Sequence, residues 1–333
     1  MKITRRNFTV AMLAACAASA ALPGFVKAQD GKAIAILFDS LQSPFWVTSF
    51  AVLKEKAAAA GWTPLEAISN LDDSKQFEQV QSMLQRQVDG IIIVQTDSNA
   101  VIPAIREANK AGVPMVHFNR PPAKSDAKSV AIQADNKEIM KSTVQALVDI
   151  AKAKGGKYQA AILIGDLGDQ NAVQRRDGFF EVVEQYKDMI EVVARISTEW
   201  NADKAFADLT NALQANPGIN FLVTSSDFLI PQIRQALTVA GKWKKSNEEG
   251  HVLFAGFDGD EGQYQALSEG YMDVGGVQDL FFEADLAINA IKKIRAGEQV
   301  DALLLDPGFV LTQATLEADR DRSWGYTVWK AQN

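Results

Sequence analysis

The chain has 333 residues, with 34 Lys and Arg against 41 Asp and Glu, so its formal net charge is −7. This length suggests two domains, 47% apolar and 23% charged residues suit a compact core rather than a disordered chain, and the acidic balance argues against a nucleic-acid partner. One Cys and two widely separated His supply no zinc or iron–sulfur ligand set with the usual spacings, so we expect no metal and no cofactor.

The first 28 residues have the pattern of an export signal. Lys2, Arg5 and Arg6 precede an apolar stretch over 8–22, and Lys27 follows it. Residues 1–28 contain no Asp or Glu. The last of these residues, Ala28, is the small residue that a signal peptidase requires. The sequence therefore predicts a signal peptide over 1–28, a periplasmic location, and a mature chain of net charge −11 once four cations are removed, leaving 30 against 41.

The export route has several alternatives. Thr4-Arg5-Arg6-Asn7-Phe8 resembles a twin-arginine signal, although an ordinary secretory signal with two adjacent arginines has the same appearance. Leu13-Ala14-Ala15-Cys16 resembles a lipoprotein box, but the apolar stretch before Cys16 is short. An uncleaved anchor is disfavoured by the Pro23-Gly24 break. Cleavage after Ala28 would leave a chain without Cys, so its stability would come from the core and from no disulfide.

From Ala33 onward, short apolar runs alternate with segments of helical period. Strands are predicted at Ala33–Phe38, Thr63–Ile68, Gly90–Val94, Val113–Phe118, Tyr158–Ile164, Met189–Ile196, Ile219–Val223 and Val252–Phe257. Helices are predicted at Phe45–Ala60, Ser74–Gln87, Asn99–Lys110, Asn171–Gln185, Ala202–Ala215 and Phe228–Ala240. Repeated βα units with continuous apolar strands predict two parallel sheets, each covered by helices on both faces.

Polar and aromatic residues follow these strands, at the end where doubly wound sheets bind ligands. They include Asp39-Ser40, Asn119-Arg120, Gly165-Asp166, Trp200, Ser225-Ser226-Asp227, Asp258-Gly259 and, after the apolar run Asp273–Val277, Gln278. Planar carboxylate, amide and guanidinium groups each satisfy neighbouring hydroxyls, while aromatic rings cover the C–H face of a sugar. The mixture therefore favours a neutral polyhydroxylated ligand.

The chain resembles the periplasmic sugar-binding proteins of ABC importers, in particular the ribose/galactose-binding type. The motifs that carry this resemblance are Ser43-Pro44-Phe45-Trp46, Val113-Pro114 leading to Asn119-Arg120, Arg175-Arg176-Asp177-Gly178-Phe179, and Gly256-Phe257-Asp258-Gly259. The resemblance implies an α/β fold of two Rossmann-like lobes joined by a three-segment hinge near Ala134, Gln278 and Phe309. It implies an N-terminal lobe of 30–134 plus 279–309 and a C-terminal lobe of 135–278 plus 310–333.

The same resemblance implies ligand contacts from both lobes. From the N-terminal lobe these are Asp39, Ser43, Phe45, Trp46, Asn119 and Arg120. From the C-terminal lobe and its edge these are Arg175, Trp200, Ser226, Asp258 and Gln278. For Phe45, Trp46, Arg120, Asp258 and Gln278 the residues alone leave a purely structural role open. Of the adjacent Arg175 and Arg176, which cannot share a helix face, the family register favours Arg175 as the ligand contact.

Several residues depart from the ribose-type pattern. Asn119 stands where that group usually has Asp, Ser226 where it often has Asn, and Asp39 where a small hydroxyl residue is common. Trp46 and Trp200 stand where Phe is typical. These departures argue against ribose itself and leave a small sugar or sugar alcohol as the expected ligand class.

The resemblance implies a monomeric carrier, not an enzyme, whose closed form is read by an inner-membrane permease; a chemoreceptor as a second reader is left open. One alternative is the same fold binding an amino acid, a nucleoside or a signalling furanone. An exported enzyme is another, but no GxGxxG, nucleophile elbow or HExxH is present. A repressor of the lactose-repressor type would have a helix-turn-helix where the export signal lies. His117, inside an apolar strand, is expected to be a buried structural His.

Overall fold

The structure is a computed structural model that describes residues 32–332. The predicted signal peptide, with Cys16 and the twin-arginine motif, lies outside the described residues. Within the described part of the chain, no helix is long and apolar enough to cross a membrane.

Twelve strands and eleven α-helices alternate along residues 32–332. The strands are β1 (Ala33–Phe38), β2 (Thr63–Ile68), β3 (Gly90–Ile93), β4 (Met115–Phe118), β5 (Val130–Ala134), β6 (Tyr158–Ile164), β7 (Ile190–Ser197), β8 (Ile219–Thr224), β9 (Leu253–Asp258), β10 (Val274–Val277), β11 (Leu303–Asp306) and β12 (Phe309–Thr312). The helices are α1 (Pro44–Ala59), α2 (Asp73–Gln85), α3 (Ile102–Lys110), α4 (Asn136–Lys154), α5 (Gln170–Val183), α6 (Ala202–Ala215), α7 (Ile230–Val239), α8 (Glu261–Glu269), α9 (Leu280–Arg295), α10 (Leu316–Asp319) and α11 (Trp324–Gln332).

The strands form two six-stranded sheets. The first has the order β11-β5-β4-β3-β1-β2 and the second the order β12-β10-β9-β8-β6-β7. The central strands of both sheets are buried, because helices cover both faces of each sheet. The predicted α/β class with two Rossmann-like sheets is confirmed.

One strand departs from the predicted parallel sheets. β12 runs antiparallel to β10, and Phe309 pairs with Val277. The reason is the connection: β11 runs parallel to β5, and only Pro307 and Gly308 then separate it from β12, so the chain enters the second sheet at the edge where the parallel strands end. β12 therefore starts at the edge where β10 ends and runs away from it.

The chain passes between the sheets at three places. β5 of the first sheet leads into α4, β10 of the second sheet leads into α9 through Gln278, and β11 leads into β12. These places lie at or next to the predicted hinge positions. Phe309, predicted as the last residue of an N-terminal lobe segment, is the first residue of a second-sheet strand. The bounds of the lobes as hinged units stay a prediction.

Local sequence explains why the elements nearest the strand ends begin where they do. Ser43 caps α1 by accepting a hydrogen bond from the backbone N–H of Trp46, and Pro44 occupies the first turn, where a missing N–H costs nothing. Asp169 caps α5 and Asn201 caps α6 in the same way. The side chains beside these caps are thereby held at the carboxyl ends of the strands.

Candidate functional site

A cavity of about 310 Å³ lies at the carboxyl ends of strands from both sheets. All eleven predicted site residues line it: Asp39, Ser43, Phe45, Trp46, Asn119, Arg120, Arg175, Trp200, Ser226, Asp258 and Gln278. Six further residues line it as well: Ser40, Gln42, Leu71, Asp169, Asn171 and Phe228. The volume is at the small end for ligand sites, which suits a small molecule.

One side of the cavity, the first wall, is formed by residues after β1 and β4 and at the start of α1; the opposite side, the second wall, is formed by α5, by residues after β7 and β8, and by the last residue of β9. The polar part of the first wall is an ion pair between Asp39, which follows β1, and Arg120, which comes after β4. Arg120 Nη1 lies 2.9 Å from Asp39 Oδ2, and the backbone N–H of Ser40 donates to Asp39 Oδ1 at 2.6 Å. Burial raises the pKa of Asp39, while the Arg120 guanidinium acts in the opposite direction. Arg120 itself is 35% exposed, so this pair is open to the cavity on its guanidinium side.

The aromatic part of the first wall comes from the start of α1. The Phe45 and Trp46 rings meet edge to face with centroids 5.0 Å apart, and the Arg120 guanidinium lies 4.9 Å from the Trp46 ring centroid. Phe45 also contacts Trp324 edge to face at 5.9 Å. Trp324 donates its indole N–H to the Asp258 carbonyl, so Phe45 touches a residue anchored to the end of a second-sheet strand.

The second wall is centred on a buried guanidinium. Arg175 of α5 donates from Nη1 to Asp258 Oδ1 at 2.9 Å and to the Ser225 carbonyl at 2.7 Å, and from Nε to Asn136 Oδ1 at 2.7 Å. Its guanidinium carbon lies 4.0 Å from the centroid of the Phe257 ring. The Arg175 side chain is 5% exposed, so the structure fixes it from four directions. Its neighbour Arg176, at the surface, pairs with Asp177.

Asp258 gathers donors from several elements. Its Oδ1 accepts from Gln278 Nε2 at 2.8 Å as well as from Arg175, and its Oδ2 accepts from the Ser226 hydroxyl. Burial raises the pKa of Asp258, and the Arg175 charge opposes that rise. Asp227 plays a different part: its carboxyl accepts backbone N–H groups of Phe257 and Gly259, which places it in the scaffold behind the cavity.

The second wall ends in the indole of Trp200, which follows β7. Its N–H donates to Asp169 Oδ2 at 3.2 Å, and its ring lies 6.3 Å from the Phe228 ring centroid. Trp46 and Trp200 thus supply one large ring from each wall of the cavity.

Amides join the two walls. Asn119, which follows β4 of the first sheet, donates from Nδ2 to Gln278 Oε1 at 3.0 Å and accepts from Asn171 Nδ2 at 3.3 Å. Glu283 Oε2 lies 3.4 Å from the same Nδ2. Asn119 therefore has protein partners on both amide atoms, and its role as a ligand contact stays a prediction.

The six cavity residues that were not among the predicted ligand contacts differ in the sequence signal that they carry. Asp169 and Asn171 open α5 in the Asp-x-Asn pattern of a helix start, so a search for helix caps would have found them. Ser40 and Gln42 lie in the loop after β1, between the predicted contacts Asp39 and Ser43. Leu71, with a left-handed backbone (φ 63°), carries no sequence signal.

His117 is fully buried, with Nδ1 3.0 Å from Gln95 Oε1, and burial lowers its pKa to about 3. It lies on β4 outside the cavity lining, which agrees with a structural His. Across residues 32–332 there is no group of three or more His, Cys, Asp or Glu arranged to hold a metal ion.

Comparisons with known proteins agree with this geometry. The family model described as a periplasmic binding protein domain matches residues 34–299. A D-apiose import binding protein of Actinobacillus succinogenes is 29% identical over 299 residues, 87% of this chain and 93% of the relative. A ribose import binding protein of Bacillus subtilis is 25% identical over 280 residues, 84% of this chain and 87% of the relative.

A solved structure has the same fold. It is an ABC transporter periplasmic solute binding protein from Actinobacillus succinogenes with bound D-allose, 24% identical, with a TM-score of 0.76 over 86% of this chain and 99% of that chain. The chain belongs to the periplasmic binding protein domain family. It is a solute-binding protein with two Rossmann-like sheets, and the named relatives are import binding proteins rather than enzymes.

Proposed function

We propose that this protein is the periplasmic carrier of an ABC importer and that it captures one small, neutral sugar or sugar alcohol in the cavity between its two sheets. The observation that carries the proposal is the composition of the two walls. Each wall presents one Arg–Asp pair and one Trp ring to a cavity of about 310 Å³.

The charges of the cavity support a neutral ligand. Asp39 is paired with Arg120 and Asp258 with Arg175, so neither pair needs a charged group from the ligand. Paired carboxylate and guanidinium groups still offer acceptors and donors to hydroxyls on adjacent carbons. The ammonium and carboxylate groups of an amino acid would have to displace these internal ion pairs to find partners of opposite charge.

The aromatic rings support a ligand with an apolar face. Trp46 and Trp200 stand on opposite walls, where each ring can cover the C–H face of a ring or chain bearing hydroxyls. Two relatives are named for the import of D-apiose and ribose, and the structural neighbour holds D-allose. This agreement supports the class and leaves the particular sugar to experiment.

Capture by closure follows from the way the site is divided. Residues of both sheets line one cavity, so only a conformation that brings the walls together lets one ligand bond to both. We take 30–134 plus 279–309 and 135–278 plus 310–333 as the moving lobes, with the closed, monomeric form delivered to the permease. Removal of residues 1–28 on export, by the twin-arginine route, completes this proposal, and the protein performs no chemistry of its own.

The test is a thermal-shift screen of the purified protein followed by calorimetry. The panel contains D-apiose, D-ribose, D-allose, hexoses, amino sugars, polyols, amino acids and nucleosides. We expect a sugar or polyol to bind at micromolar or tighter Kd, which corresponds to about −8 kcal/mol. A response to an amino acid or nucleoside, with every sugar and polyol silent, would overturn the proposal.

A further inference from the structure

Trp200 lies in a turn whose backbone conformation depends on contacts with neighbouring residues. Glu199 and Trp200 both have left-handed backbones (φ 54°), an uncommon conformation for residues other than glycine, so the turn depends on its surroundings. Thr198 fixes its start, because its backbone N–H and its hydroxyl both donate to the Ile164 carbonyl, at 2.7 and 2.9 Å. The turn is thereby tied to the end of β6.

Gly165, the residue after β6, makes room for the indole. A Cβ atom on this residue would overlap the indole atoms Cη2, Cζ2 and Cζ3 of Trp200. The overlapping atoms all belong to the six-membered ring, so the ring rests directly on the backbone of Gly165. Gly165 does not have a positive φ, which leaves close approach as the reason for glycine.

Asp169 fixes the other end of the indole. Its Oδ2 accepts the Trp200 Nε1–H at 3.2 Å, while its Oδ1 accepts the backbone N–H of Asn171 at 2.9 Å and so caps α5. Helix α5 also carries Arg175, the centre of the polar part of the same wall. One carboxylate therefore sets the indole relative to the helix that carries the polar contacts.

We propose that Gly165 and Asp169 are positioning residues that set the plane of the Trp200 ring, and through it the shape of the second wall. This inference rests on the proposed function for its effect on sugar affinity, because an aromatic ring binds a sugar face only in a parallel orientation. Its structural part concerns the protein alone. The two parts are tested separately.

The first variant is Asp169→Asn, which separates the two roles of this carboxylate. Asn caps helices as well as Asp does, so its oxygen keeps the bond to Asn171 N–H. Its amide –NH2 then faces the indole N–H, a donor against a donor. The matched control is Asp166→Asn, which changes an exposed carboxylate of the same loop that bonds only Gly168 N–H among the described contacts.

The readout that needs no sugar is ¹⁹F NMR of protein labelled with 5-fluorotryptophan, with the Trp200 resonance assigned by its loss in Trp200→Phe. We expect Asp169→Asn to shift or broaden this resonance while Asp166→Asn leaves it in place. A Trp200 resonance unchanged by Asp169→Asn would overturn the inference.

Gly165→Ala gives an independent test with a built-in rescue. We expect it to lower the Tm, because the new methyl group meets the indole. In Gly165→Ala/Trp200→Phe the loss should disappear relative to Trp200→Phe alone, because Phe lacks the overlapping ring atoms. A loss of the same size in both backgrounds would show that Gly165 serves the backbone and not the indole, which would remove it from the proposal.

The affinity readout uses whichever sugar or polyol of the screen has the lowest Kd. We expect Asp169→Asn to weaken it about tenfold in the wild-type background and less than about twofold in the Trp200→Phe background. Equal losses in both backgrounds would mean that Asp169 contacts the sugar itself. If no sugar or polyol of the screen binds while the NMR and rescue results hold, the ligand assignment fails and the positioning role stands.

Discussion

The two walls of the cavity contain similar groups but hold them differently. On the first wall, Arg120 is 35% exposed, bonds through its side chain to Asp39 and lies over Trp46. On the second wall, Arg175 is 5% exposed and bonds to three groups besides lying over Phe257. The second wall is therefore a fixed template, whereas Arg120 can adjust as the walls meet.

The comparison has an energetic meaning. Removing one partner of a buried, hydrogen-bonded pair leaves an uncompensated charge and costs about 3–5 kcal/mol. In the first pair Asp39 is also buried, but Arg120 is 35% exposed, so its removal opens the Asp39 carboxylate to water in the cavity and the cost is smaller. Equivalent substitutions on the two walls should thus have unequal effects on stability, and this inequality is what the following predictions test.

The largest effect is expected from Arg175→Ala. It removes the guanidinium donor from Asn136 and the Ser225 carbonyl, and leaves the Asp258 carboxylate without its opposite charge in a buried site. We expect sugar affinity to fall at least about 100-fold by calorimetry and the free energy of unfolding to fall by about 3 kcal/mol in urea. The control Arg176→Ala changes the neighbouring surface arginine, and an equal effect from both variants would contradict the account.

The next effect concerns the connection between β11 and β12, which belongs to neither wall. Asp306 accepts the backbone N–H groups of Asp279 and Gly308, and burial raises its pKa to about 6. Asp306 therefore binds its proton more tightly in the folded protein than in the unfolded chain. Its contribution to stability is fully present below about pH 4 and is lost as the pH rises through about 6.

The measurement is urea unfolding of wild type and Asp306→Asn between pH 4 and 7.5. Asn does not titrate, while the other groups titrate in both proteins. The stability advantage of the wild type over the variant should therefore shrink by on the order of 2 kcal/mol across this range. An advantage that stays constant with pH would argue against a neutral Asp306 in the folded protein at low pH.

Arg120→Ala tests the adjustable wall. The lost contacts are the ion pair with Asp39 and the contact with the Trp46 ring. Sugar affinity should fall about tenfold, or about 1.4 kcal/mol, while the Tm without sugar stays within about 2 °C of wild type. A loss of stability as large as that of Arg175→Ala would remove the difference between the walls.

The smallest effect is expected where the walls are joined. Asn119→Asp replaces the amide donor with an oxygen that faces Gln278 Oε1 and Glu283 Oε2. Repulsion should favour separated walls, with a larger radius of gyration by small-angle X-ray scattering and an affinity about fivefold lower. Asn109→Asp, a surface change on α3, is the control. An unchanged radius with reduced affinity would instead point to a direct contact between Asn119 and the sugar.

The sequence predicted the α/β class with two parallel sheets and a set of residues that share one cavity, whereas ligand binding by those residues stays a prediction. All eleven predicted residues line one cavity, because the carboxyl ends of parallel strands meet at one edge and the polar residues there could be read directly. What the pattern did not contain was the partner of each side chain. The bond of Asn119 to Gln278 joins residues 159 positions apart, and nothing local announces it.

The elements that the sequence missed fall into two groups. Helix α4 has buried residues at helical spacing, among them Ile139, Val144 and Leu147, so its sequence does carry a helical pattern. Strands β11 and β12 have four residues each, with Leu303 and Leu305 half exposed, and so short a pattern does not indicate a strand or its direction. Their placement depends on the chain crossing between the sheets.

The central claim is that both walls bind the same small hydroxylated molecule. Hydrogen–deuterium exchange, with and without the sugar or polyol that binds most tightly in the screen, tests it in one measurement. We predict slower exchange in two separate segments, 40–46 of the first wall and 225–228 of the second. Protection confined to one of these segments, or located away from both, would contradict the account.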